Sequence, residues 1–106
     1  MSGYRRNYSY VDAAGIHFPD AIAGSEMYYA IDLNCMVEID KEAISSVEWS
    51  APIGVTVSDS VLVNSNEAQV KLTTPIAGVF PITATINSLD QGRVSKSKFT
   101  IVLKVI

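Results

Sequence analysis

The fold of this chain is decided by its last third, which reads GVFPITATINSLDQGRVSKSKFTIVLKVI over residues 78–106. Apolar and polar side chains alternate along both limbs of this stretch, and a period of two is the pattern of a strand with one buried face. The loop between the limbs is predicted at Ser88–Gly92, because Gly92 accepts the positive φ that short hairpin loops need. The buried rows are predicted to be Phe80, Ile82, Ala84 and Ile86 on the first limb and Phe99, Ile101, Leu103 and Val105 on the second.

Shorter alternating segments precede this hairpin, and turn-forming residues separate them. They predict strands at Met27–Leu33 with an extension at Met36–Ile39, and then at Ile44–Ser50, Val55–Val57, Ser60–Val63 and Ala68–Leu72. Pro52 and Gly54 end one of these strands, since proline removes a ladder donor and glycine permits a turn. Strands spaced roughly 8–12 residues apart are typical of immunoglobulin-like domains. We therefore predict an all-β protein, an immunoglobulin-like antiparallel β-sandwich of about seven strands.

The core of the sandwich must hold by packing, because the single Cys35 cannot form an internal disulfide. Cys35 itself is interpreted as a small buried hydrophobic residue. Burying a large apolar side chain stabilises a domain by about 1.5–3 kcal/mol, so a row of such residues is sufficient for a chain of this length. The predicted core residues are Trp49, Val70, Leu72, Phe80, Ile82, Phe99, Ile101 and Leu103.

Residues 1–24 differ from the rest of the chain because they show no period of two or 3.6. We predict an extended N-terminal arm at 1–24 and the sandwich domain at 25–106. Tyrosine and arginine are favoured at the centres of protein interfaces, and Phe18 precedes a proline that biases it to extended backbone. The predicted partner-binding residues of the arm are Tyr4, Arg5, Arg6, Tyr8, Tyr10 and Phe18. The alternative, an arm that folds back over its own domain, stays open.

The residues that could carry catalysis do not form a recognisable motif. His17 is the only histidine and lies in the predicted arm, which gives no basis for a Ser-His-Asp or Cys-His arrangement. The acidic residues between Glu38 and Glu48 are interpreted as charges on polar faces and turns. The chain shows no metal-ligand spacing and no glycine-rich phosphate loop. We therefore expect no enzymatic activity, no catalytic residues, no metal and no cofactor.

Charge and hydropathy restrict the partners. The chain has 8 basic and 11 acidic residues and a net charge of -3, which argues against a nucleic-acid partner because phosphate contacts need a basic surface. The N-terminal residues contain no signal-peptide pattern, and the apolar runs are too short to cross a bilayer. We expect a protein that is made in the cytoplasm and has no membrane partner.

Several segments resemble a family of small virion proteins of tailed bacteriophages, and the resemblance covers residues 25–106. Its most specific parts are Trp49-x-x-Pro52-x-Gly54 and the Gly92-Arg93 corner. The chain departs from the family pattern at Leu33, where the family often has an aromatic residue, and at Thr74-Pro75, which replaces a glycine-rich turn. The matching segments are Tyr29–Asp32, Ser46–Val57, Ala68–Leu72, Ala77–Phe80, Gly92–Arg93 and Lys98–Val105.

The resemblance implies an immunoglobulin-like fold and a structural role in the virion. We expect a non-enzymatic capsid decoration or auxiliary protein, made in the host cytoplasm and located in the virion. Its arm would anchor it to the major capsid protein or another virion protein, with sister copies forming a homo-oligomer, and its loops could meet a host-surface glycan. The alternatives are a head-fibre, collar or tail-associated protein, a carbohydrate- or protein-binding adhesin module, and, more weakly, a small hydrolase.

Overall fold

The computed structural model describes residues 7–33, 43–63, 67–90 and 92–106. Within these ranges the chain forms nine strands, which are numbered here in chain order. They are β1 (Asn7–Tyr8), β2 (Tyr10–Asp12), β3 (Gly15–His17), β4 (Ser25–Asp32), β5 (Ala43–Ser50), β6 (Thr56–Val63), β7 (Glu67–Thr74), β8 (Gly78–Asp90) and β9 (Arg93–Val105).

The strands form two sheets that face each other as a sandwich. The first sheet has the order β1-β4-β7-β6 and the second has the order β2-β3-β9-β8-β5. The predicted all-β, immunoglobulin-like sandwich is confirmed, with nine strands in place of about seven. The described part of the chain contains no helix long and apolar enough to cross a bilayer.

The β8–β9 hairpin is the longest element pair, with 13 residues in each strand. Its pairing runs without a register shift from Gly78 opposite Val105 to Asp90 opposite Arg93. The predicted loop at Ser88–Gly92 is therefore too long, since residues 88–90 belong to β8. The turn is tight because Gly92 has a φ of 79°.

Strand β6 joins two segments that the sequence predicts as separate strands. The register against β7 shifts between Ser58 and Val61, and Asp59 takes a φ of 49°. A bulge absorbs an extra residue and lets the ladder continue beyond it, so the polar residues at 58–59 bend the strand without ending it. The predicted extension at Met36–Ile39, like Cys35, lies outside the described residues.

The N-terminal segment does not follow the predicted division at residue 24. Strand β1 pairs in parallel with β4, and β3 pairs in parallel with β9. Phe18 N–H donates to Val102 O at 2.9 Å, and Ala21 is buried beside Val105. Residues 7–23 are thus part of the sandwich, as in the alternative in which the arm folds back over its own domain. The reason is that β4 and β9 each have an edge whose backbone N–H and C=O groups need partners, and this segment supplies them.

The core lies between the sheets and follows the predicted alternation closely. Trp49, on the edge strand β5, and Phe99, near the middle of β9, are only partly buried and pack against the core. The other predicted core residues, Val70, Leu72, Phe80, Ile82, Ile101 and Leu103, are all buried.

Candidate interaction surface

Three connections meet at one end of the sandwich: residues 18–24, the β5–β6 turn at 51–55 and the β7–β8 turn at 75–77. This end lies opposite the β8–β9 turn, because β8 begins here with Gly78 paired to Val105. Four isoleucines are exposed here, and we call this surface the isoleucine end. They are Ile22 (67% exposed), Ile53 (101%), Ile76 (54%) and Ile106 (59%).

The two turns of the isoleucine end share a local sequence. One reads Pro52-Ile53-Gly54-Val55 and the other Pro75-Ile76-Ala77-Gly78-Val79, so each presents an isoleucine directly after a proline. Proline fixes its own φ, and Gly54 has a φ of 109° that favours glycine. Both turns therefore hold their isoleucine with little backbone freedom left to lose on binding.

Both turns rest on one buried aromatic ring, Phe80. A Cβ on Gly54 would lie 2.8 Å from Phe80 Cε1 and 3.2 Å from Ile76 Cδ1, and a Cβ on Gly78 would lie 3.1 Å from Phe80 Cζ. Because these glycines have no side chain, both turns can approach the Phe80 ring closely. Ile53 and Ile76 therefore lie on two neighbouring turns that both pack against Phe80.

Backbone hydrogen bonds join the other two isoleucines to the same end. Ala23 N–H donates to Ile106 O at 2.9 Å, and Ile106 N–H donates to Ala21 O at 2.8 Å. Gly24 N–H donates to Thr74 O at 2.7 Å, which connects residues 18–24 to the end of β7. These polar groups are satisfied, so the surface that remains at this end is the apolar side chains.

The isoleucine end is also poor in charge. Asp20 is the only charged residue in the sequence ranges 19–24, 51–55 and 75–77. Large exposed apolar patches mark sites of protein or membrane contact, and these four side chains are exposed at the same end of the sandwich. The chemistry available here is the exclusion of water from isoleucine side chains when another surface covers them.

The predicted partner-binding residues are placed differently from one another. The sequence predicts that Phe18 contacts a partner, but in the structure Phe18 is 1% exposed and lies in the core of its own sandwich. Its ring centroid is 5.0 Å from that of Tyr29 and 6.3 Å from that of Trp49. Burial among these groups raises the pKa of Tyr29. Tyr4, Arg5 and Arg6 lie outside the described residues.

Tyr8 and Tyr10 are about half exposed but lie on the sides of the sandwich. Tyr8 is paired with Ala30 and donates its hydroxyl to Glu67 Oε1 at 2.7 Å, so its ring crosses β4 above the fully buried Ala30. Tyr10 stacks on His17, with ring centroids 5.4 Å apart. The structure does not bring these tyrosines together with the isoleucine end.

His17 on β3 is paired with an acidic side chain of β2. Its Nε2 lies 2.9 Å from Asp12 Oδ1, which also accepts the backbone N–H of Ala14 at 2.8 Å. The Ala14 hydrogen bond is the first cause that lowers the pKa of Asp12, and His17 adds to it. The residue paired with His17 in β9 is Val102, which offers no nucleophile. Across the described ranges, no three His, Cys, Asp or Glu side chains are placed to hold a metal ion.

Sequence reasoning missed the isoleucine end. The signal that could have found it is the repeated proline–isoleucine pair in two predicted turns. An isoleucine between a proline and a glycine in a short turn has no strand face to occupy, so it must either pack against the turn or face solvent.

The comparisons with known proteins bear on the fold. No family model and no curated protein matches the chain. A solved structure, that of the cysteine protease inhibitor EhICP2 from Entamoeba histolytica, matches with a TM-score of 0.51 and 9% sequence identity. The match covers 98% of this chain and 100% of that one. The likeness is therefore one of architecture, a β-sandwich that spans both chains.

Proposed function

We propose that this protein is a non-enzymatic structural component of a bacteriophage virion, a capsid decoration or auxiliary protein. Its isoleucine end is the surface that docks onto the major capsid protein or another virion protein. The observation that carries the proposal is a set of exposed isoleucines on two proline-fixed turns that share one buried support, Phe80. The sequence resemblance to phage virion proteins is the reason for proposing a bacteriophage virion as the particle.

The anchor is then the isoleucine end, which is already formed in the free protein, and not the predicted N-terminal arm. Burial of each exposed isoleucine contributes up to about 1.5–3 kcal/mol, while association of two molecules costs on the order of 4–15 kcal/mol. A contact of this size is weak for one isolated pair. On a particle that presents many copies, contacts with neighbouring copies raise the effective concentration and therefore the occupancy.

Aspartate substitutions at the isoleucine end test the proposal. The variant Ile53→Asp/Ile76→Asp places two carboxylates on the docking surface, while both positions are exposed in the free protein. Virions that lack the protein are mixed with purified variant or wild-type protein, sedimented, and assayed for bound protein. We expect the wild-type protein to sediment with the particles and the double variant to remain in solution with an unchanged thermal unfolding midpoint.

The matched control is Val61→Asp, which introduces the same charge at a β6 side chain that is 52% exposed and lies away from the isoleucine end. We expect full occupancy of the particles by this control. Full occupancy by Ile53→Asp/Ile76→Asp would contradict docking through the isoleucine end. Failure of the wild-type protein to bind any virion component would contradict the structural role itself.

A further inference from the structure

Strand β9 has one edge that is paired along its whole length and one that is paired along only part of it. Its pairing with β8 covers every residue from Arg93 to Val105. On the other edge, β3 pairs with Ile101 and Val102, and residues 18–21 continue this contact to Lys104 and Val105. No described residue pairs with β9 on this edge between Arg93 and Phe99.

The hydrogen bonds at the covered part identify which groups face this edge. Val102 O accepts the N–H of Phe18 at 2.9 Å, and Lys104 O accepts the N–H of Ala21 at 2.8 Å. Successive residues of a strand point their N–H and C=O groups to opposite sides, so the even-numbered residues of β9 face this edge. The backbone donors and acceptors of Val94, Lys96 and Lys98 therefore face this edge, and no described residue pairs with them. All three side chains are exposed.

The open part of the edge is basic. The range 92–106 contains Arg93, Lys96, Lys98 and Lys104 and no acidic residue, although the whole chain has a net charge of -3. In the part of the chain that the structure describes, Lys96 and Lys98 have no ion-pair partner. Lys96 and Lys98 thus place two positive charges at alternate residues along the same edge as these backbone groups.

We propose that the edge of β9 at Val94–Lys98 is a strand-addition site for an extended acidic segment of a partner protein. The partner's backbone would pair with the N–H and C=O groups of these residues, as in other β-augmentation complexes. Carboxylates at alternate positions of the added strand would face Lys96 and Lys98, and an apolar side chain would face Val94, which is 72% exposed.

The lysines also give the site its selectivity. Lysine on an exposed edge discourages pairing with uncharged or basic strands, because the approaching strand must desolvate or repel it. The same charges attract a strand that carries carboxylates. The edge therefore combines protection against non-specific pairing with recognition of one class of segment. It lies at the opposite end of β9 from the isoleucine end, so the two sites are tested independently.

The experiment follows amide exchange in the full chain. The uniformly ¹⁵N-labelled protein is titrated with a short peptide that has glutamate at alternate positions and threonine or valine between them. We expect fast hydrogen exchange at the amides of Val94, Lys96 and Lys98 in the free protein, and exchange slowed by at least about tenfold in the saturated complex. A peptide of the same sequence with an N-methyl group on every backbone amide keeps the charges but cannot donate to the ladder, and we expect it not to bind.

Charge variants complete the test. We expect Lys96→Glu/Lys98→Glu to weaken binding of the acidic peptide by at least about tenfold. Lys104→Glu is the matched control, because Lys104 lies on the same strand and face but its carbonyl already accepts the N–H of Ala21; its affinity for the peptide should change by less than about twofold.

Three results would overturn the proposal. The first is peptide binding without protection of the three amides, and the second is an equal loss of affinity in Lys104→Glu. The third is charge-dependent binding of a DNA duplex in preference to the peptide, since a duplex can contact the lysines but cannot extend the ladder.

Discussion

Phe18 is the residue that makes the N-terminal segment part of the sandwich. Its ring lies between Tyr29 and Trp49 in the core, one on each sheet. The sequence gives this residue little signal, because a single apolar side chain before a proline has no periodicity to reveal its burial. Its neighbours decide the outcome, since residues 16–21 run along the edge of β9 and place Phe18 where its side chain is buried in the core.

We predict that Phe18→Ala lowers the free energy of unfolding by about 3–5 kcal/mol, because it leaves a cavity among buried aromatic rings. Equilibrium urea unfolding followed by tryptophan fluorescence measures this loss, with Trp49 as the probe. The control Ile22→Ala removes an exposed side chain four residues away and should change the free energy by less than about 0.5 kcal/mol. Equal effects of the two variants would mean that Phe18 does not fill the core.

Gly54 is the glycine on which the isoleucine end depends most. We predict that Gly54→Ala destabilises the fold by about 1–3 kcal/mol more than Gly92→Ala. Both residues have positive φ, but a Cβ at Gly54 would lie 2.8 Å from Phe80 Cε1 whereas a Cβ at Gly92 meets nothing within 4 Å. Thermal unfolding of the two variants measures this difference, to which the larger φ of Gly54, 109° against 79°, also contributes. A similar loss in both would show that Phe80 moves aside.

At the scale of elements, a polar network ties three strands of the first sheet together. Lys71 on β7 lies 2.7 Å from Glu26 on β4 and 3.6 Å from Asp59 at the bulge of β6. Its Nζ also lies 5.7 Å from the centre of the Tyr28 ring. The hydrogen bond from Lys71 lowers the pKa of Glu26, and the same bond raises the pKa of Lys71.

The network predicts a defined pH dependence for the contribution of Glu26. Because its pKa is lower in the folded than in the unfolded chain, its contribution is complete above its ordinary value of 4.5 and is lost as the pH falls through the folded value. We expect the urea midpoint of the wild-type protein to exceed that of Glu26→Gln between pH 5 and 7, and the difference to vanish in more acidic buffer.

The pKa of Lys71 shifts in the opposite direction to that of Glu26. Lys71 has a pKa raised above 10.5, so its contribution is complete below that value and is lost as the pH rises through the folded value. A difference between wild type and Glu26→Gln that grew on acidification would contradict the pairing.

The elements also show how far the sequence can predict this structure. The β8–β9 hairpin is predictable because its two alternating limbs are adjacent in the chain, so local pattern and tertiary pairing coincide. Strands β1 and β3 are not, because they contain two and three residues and pair in parallel with distant strands. The isoleucine end escapes prediction for another reason: period-two patterns describe faces of strands, whereas Ile53 and Ile76 lie in turns, where exposure depends on how the turns pack.

At the scale of the whole molecule, residues 7–23 are a structural part of the sandwich, because they pair with strands of both sheets. The sequence predicts that removal of residues 1–24 leaves a folded domain, but the structure indicates the opposite, since this removal deletes Phe18 and exposes the edge of β9. We predict that deletion of residues 1–23 abolishes the cooperative thermal transition or lowers its midpoint strongly. Deletion of residues 1–6 removes no part of β1–β9 and should preserve it. Calorimetry of the two truncated proteins measures both thermal unfolding midpoints. An unchanged midpoint after the longer deletion would contradict a structural role for residues 7–23.

The parallel pairing of β3 with β9 has a mechanical consequence. Once β1 and β2 have detached, force applied to the two ends of the chain pulls β3 toward its own start and β9 toward its own end. The two strands are then loaded in opposite directions along their common axis. The backbone hydrogen bonds between β3 and β9 must then break together as the strands slide past each other. In a hairpin that is pulled open from one end, the hydrogen bonds break one after another. Resistance to stretching is set by the unfolding rate, and we expect this shear geometry to slow unfolding under force.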